Sequence, residues 1–194
     1  NGDYKHVPVA AQAAGGARAM ARALQGSQFR VALAMHIEAD ALGREINKFL
    51  QELQPGDAAV FYFAGYAVQD MGENYLLPVG YDPAGKDGIE FQSYSVKRLV
   101  RYLETKKLGT GLIIIDQAAG NAVMDKRFPE PGLASMDIRA ANLVLALANL
   151  PGRAVPGAGT REIGRFTEAW VNAAAEPGVP LDAALRRIKQ QVSQ

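Results

Sequence analysis

Two short runs constrain this chain most: Ala58-Ala59-Val60-Phe61-Tyr62-Phe63 and Gly111-Leu112-Ile113-Ile114-Ile115-Asp116. Each is almost continuously apolar, strand-length and bounded by turn residues, so neither offers a polar face to water. A strand of that kind must be covered on both sides, as in a sheet held between layers of helix. The three successive isoleucines strengthen the reading, because β-branched side chains are stiff at the first torsion and fit a pleated surface. Helical periodicity precedes each run. Leu42, Ile46, Phe49, Leu50 and Leu53 share one face ahead of Pro55-Gly56, and Val96, Leu99, Val100 and Leu103 share another ahead of Gly109. A third apolar strand is expected over Asn142 to Ala148, then helices near Phe166 to Ala175 and over Leu181 to Val192, where Leu181, Leu185, Ile188 and Val192 make a stripe. Strands alternating with helices predict an α/β sandwich with a mainly parallel central sheet and right-handed crossovers.

Other segments speak less clearly. The opening stretch to Gly16 reads as a loop feeding an alanine-rich helix at about Ala17 to Leu24, followed by a strand over Phe29 to Ala34 and a short extended piece over Glu73 to Pro78. Two long connections, Gln117 to Arg139 and Pro151 to Gly164, exceed what a compact domain needs and so invite a functional reading. At 194 residues, 48% hydrophobic and 21% charged, residues 1–194 are expected to form one domain. Twenty-one basic residues against twenty acidic leave a net charge of +1, so neither a nucleic-acid nor a membrane partner is expected. The absence of cysteine removes disulfides, thiolate metal sites and thiol nucleophiles together, and leaves the compartment undecided. No apolar run reaches the roughly 18 residues of a spanning helix, and Asn1 to Ala10 lacks a signal-peptide pattern.

In open α/β sheets, ligands sit beyond the carboxyl ends of the strands. Two segments leave strands at that edge: Ala64-Gly65-Tyr66-Ala67 and Asp116-Gln117-Ala118-Ala119-Gly120. Around them, Gly56 to Gly65, then Gly72-Glu73-Asn74-Tyr75-Leu76-Leu77-Pro78-Val79, then Leu112 to Asp116 resemble, in that order, the caspase and metacaspase superfamily, particularly its bacterial members. Weaker echoes lie at Ala17-Arg18-Ala19-Met20, Gly132-Leu133-Ala134, Pro151-Gly152 and Phe166-Thr167-Glu168-Ala169. The resemblance implies a caspase-like three-layer sandwich and a cysteine endopeptidase ancestry. It also implies a catalytic histidine after the first of these strands, and a nucleophilic cysteine after Asp and a small residue on the second.

Tyr66 and Ala118 occupy those positions. Alanine carries no nucleophile, and a phenol titrating near ~10 is a poor base at neutral pH. Ala67 replaces the glycine that usually follows the histidine. Asp116 remains, and in basic-specific relatives the matching aspartate helps hold a cationic side chain, although the acidic residue expected just before the first helix is replaced by Gly15-Gly16. Relatives also begin with a buried strand ahead of the segment matching Asn1-Gly2-Asp3-Tyr4; without it the sheet would carry a long unpaired edge.

The sequence therefore predicts a pseudoprotease that holds a peptide or partner protein, with Tyr66, Ala67, Asp116, Gln117 and Ala118 as binding residues, no catalytic residue, and a monomeric state. Tyr66 either contacts the ligand or plugs the cleft with its ring, and Asp116 either binds a cation or caps nearby amides. The alternatives are a cysteine peptidase disabled by substitution at position 118, a divergent hydrolase acting after basic residues, or a purely structural module. His6 and His36 read as solvated or satisfied residues, and Ser93 and Ser135 lie in no nucleophile elbow. Gly109-Thr110-Gly111 and Gly157-Ala158-Gly159 lack the lysine and setting of phosphate loops and read as turns. Some metacaspases use calcium, but the acidic loop Asp82 to Glu90 lacks the ligand spacing of an EF-hand, so neither metal nor cofactor is expected. Arg186-Arg187 with Lys189 reads as the solvated face of the last helix.

Overall fold

The two apolar runs pair with each other. In the computed structural model, which describes residues 1–118, 126–153, 161–176 and 178–192, strand β1 (Ala58–Gly65) lies parallel to β5 (Thr110–Gln117), and β5 lies parallel to β6 (Leu143–Leu147). The order β1-β5-β6 puts the isoleucine strand in the centre. Its side chains alternate between two cores. Ile113 and Ile115 pack with Leu42, Ile46 and Leu50 of α2 (Ala39–Glu52) and with Leu99 and Leu103 of α4 (Val96–Thr105). Leu112 and Ile114 pack on the opposite face with Met20 of α1 (Ala11–Gly26), Phe166 and Trp170 of α5 (Arg165–Ala174) and Ile188 of α6 (Leu181–Val192). The fold is thus a three-layer α/β sandwich, as the sequence predicts. Burial of each such side chain contributes about 1.5 to 3 kcal/mol, which is why both faces of β5 have to be apolar.

A second, antiparallel sheet sits beyond the carboxyl end of β1, formed by β2 (Ala67–Asp70), β3 (Glu73–Leu76) and β4 (Tyr94–Ser95), with the short helix α3 (Ile89–Gln92) leading into β4. The β2–β3 hairpin turns at Met71 and Gly72, both with positive φ (49° and 75°), the backbone that two-residue hairpins favour. Helix α4 starts immediately after β4, where the Ser95 hydroxyl accepts a bond from the Arg98 amide (3.1 Å). It ends at Thr105, followed by Lys107 with φ of 51°, ahead of the Gly109 stop expected from the sequence.

Two expectations fail. The first helix begins at Ala11 and not at Ala17, so Gly15 and Gly16 lie buried inside α1 and not in a loop before it. Alanines on either side carry the helix through the glycines, and close packing explains why glycine stands there. A Cβ on Gly16 would lie 2.8 Å from the Tyr62 hydroxyl, and one on Gly15 would lie 2.5 Å from the Glu162 carbonyl oxygen. The second failure is Phe29 to Ala34, which joins no ladder. This segment and the outer side of β1 face each other across a groove of about 470 Å³ lined by Val31, Leu33, Val60 and Phe61. Neither main chain pairs with the other over that gap, so the alternation of Phe29, Val31 and Leu33 alone does not make a strand there. The outer edge of β1 has no strand partner among the described residues.

Candidate functional site

The site begins with register. Ala64 pairs with Asp116 and Gly65 with Gln117 in the parallel β1–β5 ladder, so the residues that follow, Tyr66 and Ala118, emerge side by side at the carboxyl edge. The Ala118 amide donates to the Gly65 carbonyl (2.7 Å), and the Gln117 side-chain amide donates to the Ala67 carbonyl (2.6 Å). These bonds hold the two strand exits together and leave the Ala118 N–H occupied. Ala119 and Gly120, the rest of that exit in the sequence, lie outside the described residues, as does Gly157-Ala158-Gly159.

Tyr66 points inward. It is 5% exposed and Ala67 is 1% exposed, both among apolar neighbours. The Tyr66 ring meets the Tyr4 ring edge-on, with centroids 4.7 Å apart and planes at 66°. Tyr4 also accepts the Tyr66 amide (2.8 Å) and donates to the Leu77 carbonyl (3.2 Å) through one hydroxyl. Burial drives the Tyr4 phenol well above its ordinary pKa, so it stays neutral and able to donate. Gly65, with φ of 147°, admits this arrangement, because a Cβ there would sit 2.5 Å from the Tyr4 hydroxyl. Val7, Ala10, Ala64, Val68 and Leu77 belong to the same cluster, and partly buried Ala118 packs against it.

Asp116 points towards the first turn of α5. Its Oδ2 accepts from the Thr167 hydroxyl (2.5 Å) and from the Tyr62 hydroxyl (3.5 Å), while Tyr62 and Thr167 are themselves 2.6 Å apart. Thr167 is fully buried on the first turn of α5, so the carboxylate ties the central strand to that helix. Loss of hydration pushes the Asp116 carboxyl above the ordinary range, and the two hydroxyl bonds pull it back only in part. The folded state then binds protons more readily than the unfolded state between the ordinary and the raised pKa, so stability falls as pH rises through that window. Asp116→Asn removes the titration. Urea unfolding at a series of pH values should show the variant gaining on the parent as pH climbs through the window, with the difference constant above it.

The five residues singled out in the sequence thus separate. Asp116, Gln117 and Ala118 form a partly exposed rim, and Tyr66 and Ala67 form a closed floor. His36 lies elsewhere, with Nδ1 3.3 Å from the Asp3 amide and 3.3 Å from Asp3 Oδ2, and His6 is exposed. The Ser93 hydroxyl is spent on the Ile89 carbonyl (2.5 Å), and Ser135 is exposed. Arg186 and Arg187 pair with Asp182 and Glu176 on the solvated side of α6. Sequence reasoning assigned no role to Tyr4, Tyr62 or Thr167. Each lies within a segment that carries the resemblance, but no periodic pattern marks a hydroxyl that will meet a carboxylate in the fold.

A comparison with protein-family models matches the caspase domain over residues 1–194. No curated protein matches the chain.

Proposed function

Because the chain belongs to the caspase-domain family, a family of peptidases, we propose that it is a catalytically inactive member that works by binding a peptide or partner protein at the strand-end rim. One observation carries this reading: the position that the resemblance gives to the catalytic histidine holds a tyrosine buried against Tyr4, beside an alanine at the nucleophile position. The chain has no cysteine anywhere, so no thiolate is available to attack a carbonyl. What the rim keeps is recognition chemistry. Asp116 offers a second carboxylate oxygen with no hydrogen bond among the described residues, next to the partly buried Gln117. A cationic side chain is the natural complement to that oxygen.

The test is a fluorogenic peptide library with Arg, Lys or Asp before the scissile bond, assayed over a calcium series, with binding of the same peptides followed by fluorescence anisotropy. Binding of the Arg and Lys peptides without turnover is expected, weakened about tenfold by Asp116→Asn through loss of the charge pair. Specific turnover by this chain that disappears on Asp116→Asn would overturn the proposal. So would silence of the rim in both assays.

A further inference from the structure

Helix α4 presents a basic face that the strand-end site does not use. Lys97, Arg98 and Arg101 are exposed, and none has an ion-pair partner among the described residues, whereas Lys5, Arg30, Arg139, Arg161, Arg186 and Arg187 each reach a carboxylate. The acids nearby are engaged. Glu104, the sole acidic residue of α4, accepts from the Arg139 amide (2.7 Å), and Glu73 of β3 accepts from the Ser95 hydroxyl. Lys106 and Lys107 follow directly, so this stretch carries local positive charge on a chain whose net charge is only +1.

Shape adds to charge. Arg98, Arg101, Tyr102 and Thr105 follow one another at the spacing that places side chains along one helical stripe, and with Ser95 and Glu73 they line a concavity of about 430 Å³. Tyr102 is 45% exposed in the middle of it, and tyrosine and arginine are the residue types that dominate interface energetics. The guanidinium of Arg98 lies 5.5 Å from the centroid of the Tyr94 ring, which holds it over the helix start, and the buried Tyr94 hydroxyl has no hydrogen-bond partner.

We propose that this face of α4 docks an acidic peptide segment of a partner protein, with carboxylates spaced to meet Lys97, Arg98 and Arg101 and an aromatic or apolar side chain laid on Tyr102. A peptide fits better than a nucleic acid, because the cations are confined to adjacent turns of one helix. The surface is separate from the strand-end rim, and the inference stands whether or not that rim binds peptide.

A labelled peptide of alternating aspartate and aromatic residues, titrated with the whole chain and followed by anisotropy, tests it. Binding should weaken steeply as salt rises. Lys97→Glu with Arg101→Glu should weaken it about tenfold or more, and Tyr102→Ala about fivefold. Arg186→Glu with Arg187→Glu on α6 is the control and should change little; circular dichroism and the neutral pair Lys97→Gln with Arg101→Gln guard against misfolding. Equal binding by parent and charge-reversed forms would overturn the proposal, as would tighter binding of single-stranded DNA than of the peptide at equal ionic strength.

Discussion

Truncating Tyr66 to alanine is expected to lower the unfolding free energy by about 3 to 5 kcal/mol in a urea titration, the range for removing a buried aromatic ring from a packed site. The ring is 5% exposed and stacked edge-on against Tyr4, a geometry that contributes about 0.5 to 1.5 kcal/mol beyond area alone. A companion change isolates the polar half of the contact. Tyr4→Phe keeps both rings but strips the oxygen that accepts the Tyr66 amide, so a buried N–H loses its partner at about 1 to 3 kcal/mol. The two results together distinguish a plug from a ligand-contacting residue. A tyrosine held out for a ligand would tolerate truncation with a loss under about 1 kcal/mol, since surface changes rarely exceed that, and would show its effect in peptide binding instead. A large stability loss with Tyr66→Ala, and an Ala118→Gly change that costs little by comparison, would mean that the floor of the site has been turned over to packing.

How much of this was legible in the sequence depends on what kind of pattern each element carries. The isoleucine run revealed β5 because burial on both faces leaves no polar alternation, and Leu181 to Val192 matched α6 because a solvated helix prints its period on the chain. The start of α1 was hidden, since Gly15-Gly16 argues locally for a loop and only tertiary contact with Tyr62 and Glu162 explains it. Phe29 to Ala34 has the composition of a strand, yet pairing needs a neighbour within hydrogen-bond reach, and β1 lies across a groove. At the site, register alone brought Tyr66 and Ala118 together, and strand ends can be located from sequence. The direction of the Tyr66 side chain could not be, because it depends on Tyr4, sixty-two positions away. The hydroxyl network around Asp116 was equally silent: Tyr62, Asp116 and Thr167 come from three elements, and nothing in their spacing announces a meeting.

Asn74→Leu should be the other severe change, destabilising by about 3 to 5 kcal/mol. Asn74 has no exposed surface, and its side chain bonds the backbone of Ala134 in both directions: Nδ2 donates to the Ala134 carbonyl (2.9 Å), and the Ala134 amide donates to Oδ1 (2.7 Å). Leucine keeps the same branched heavy-atom skeleton but answers neither group, so two backbone atoms would be left without partners at about 1 to 3 kcal/mol each. The tether matters because of what it holds. Gln69 donates to the Pro131 carbonyl (3.0 Å), and the Gly152 amide donates to the Leu133 carbonyl (2.9 Å), so the segment around Gly132-Leu133-Ala134 is pinned between β2, β3 and the turn at Pro151-Gly152. Three of the segments that carry the family resemblance therefore meet at one place, and Asn74 is the side chain that joins two of them. Limited proteolysis gives an independent reading: Asn74→Leu should expose the Arg127–Phe128 and Arg139–Ala140 bonds to trypsin at urea concentrations where the parent is protected. Asn74→Asp keeps the acceptor and loses the donor, and should fall between the two. If the leucine variant unfolds at the parent's midpoint and is cut no faster, the Ala134 backbone finds water without cost, and the tether cannot be what fixes that segment against the sheet.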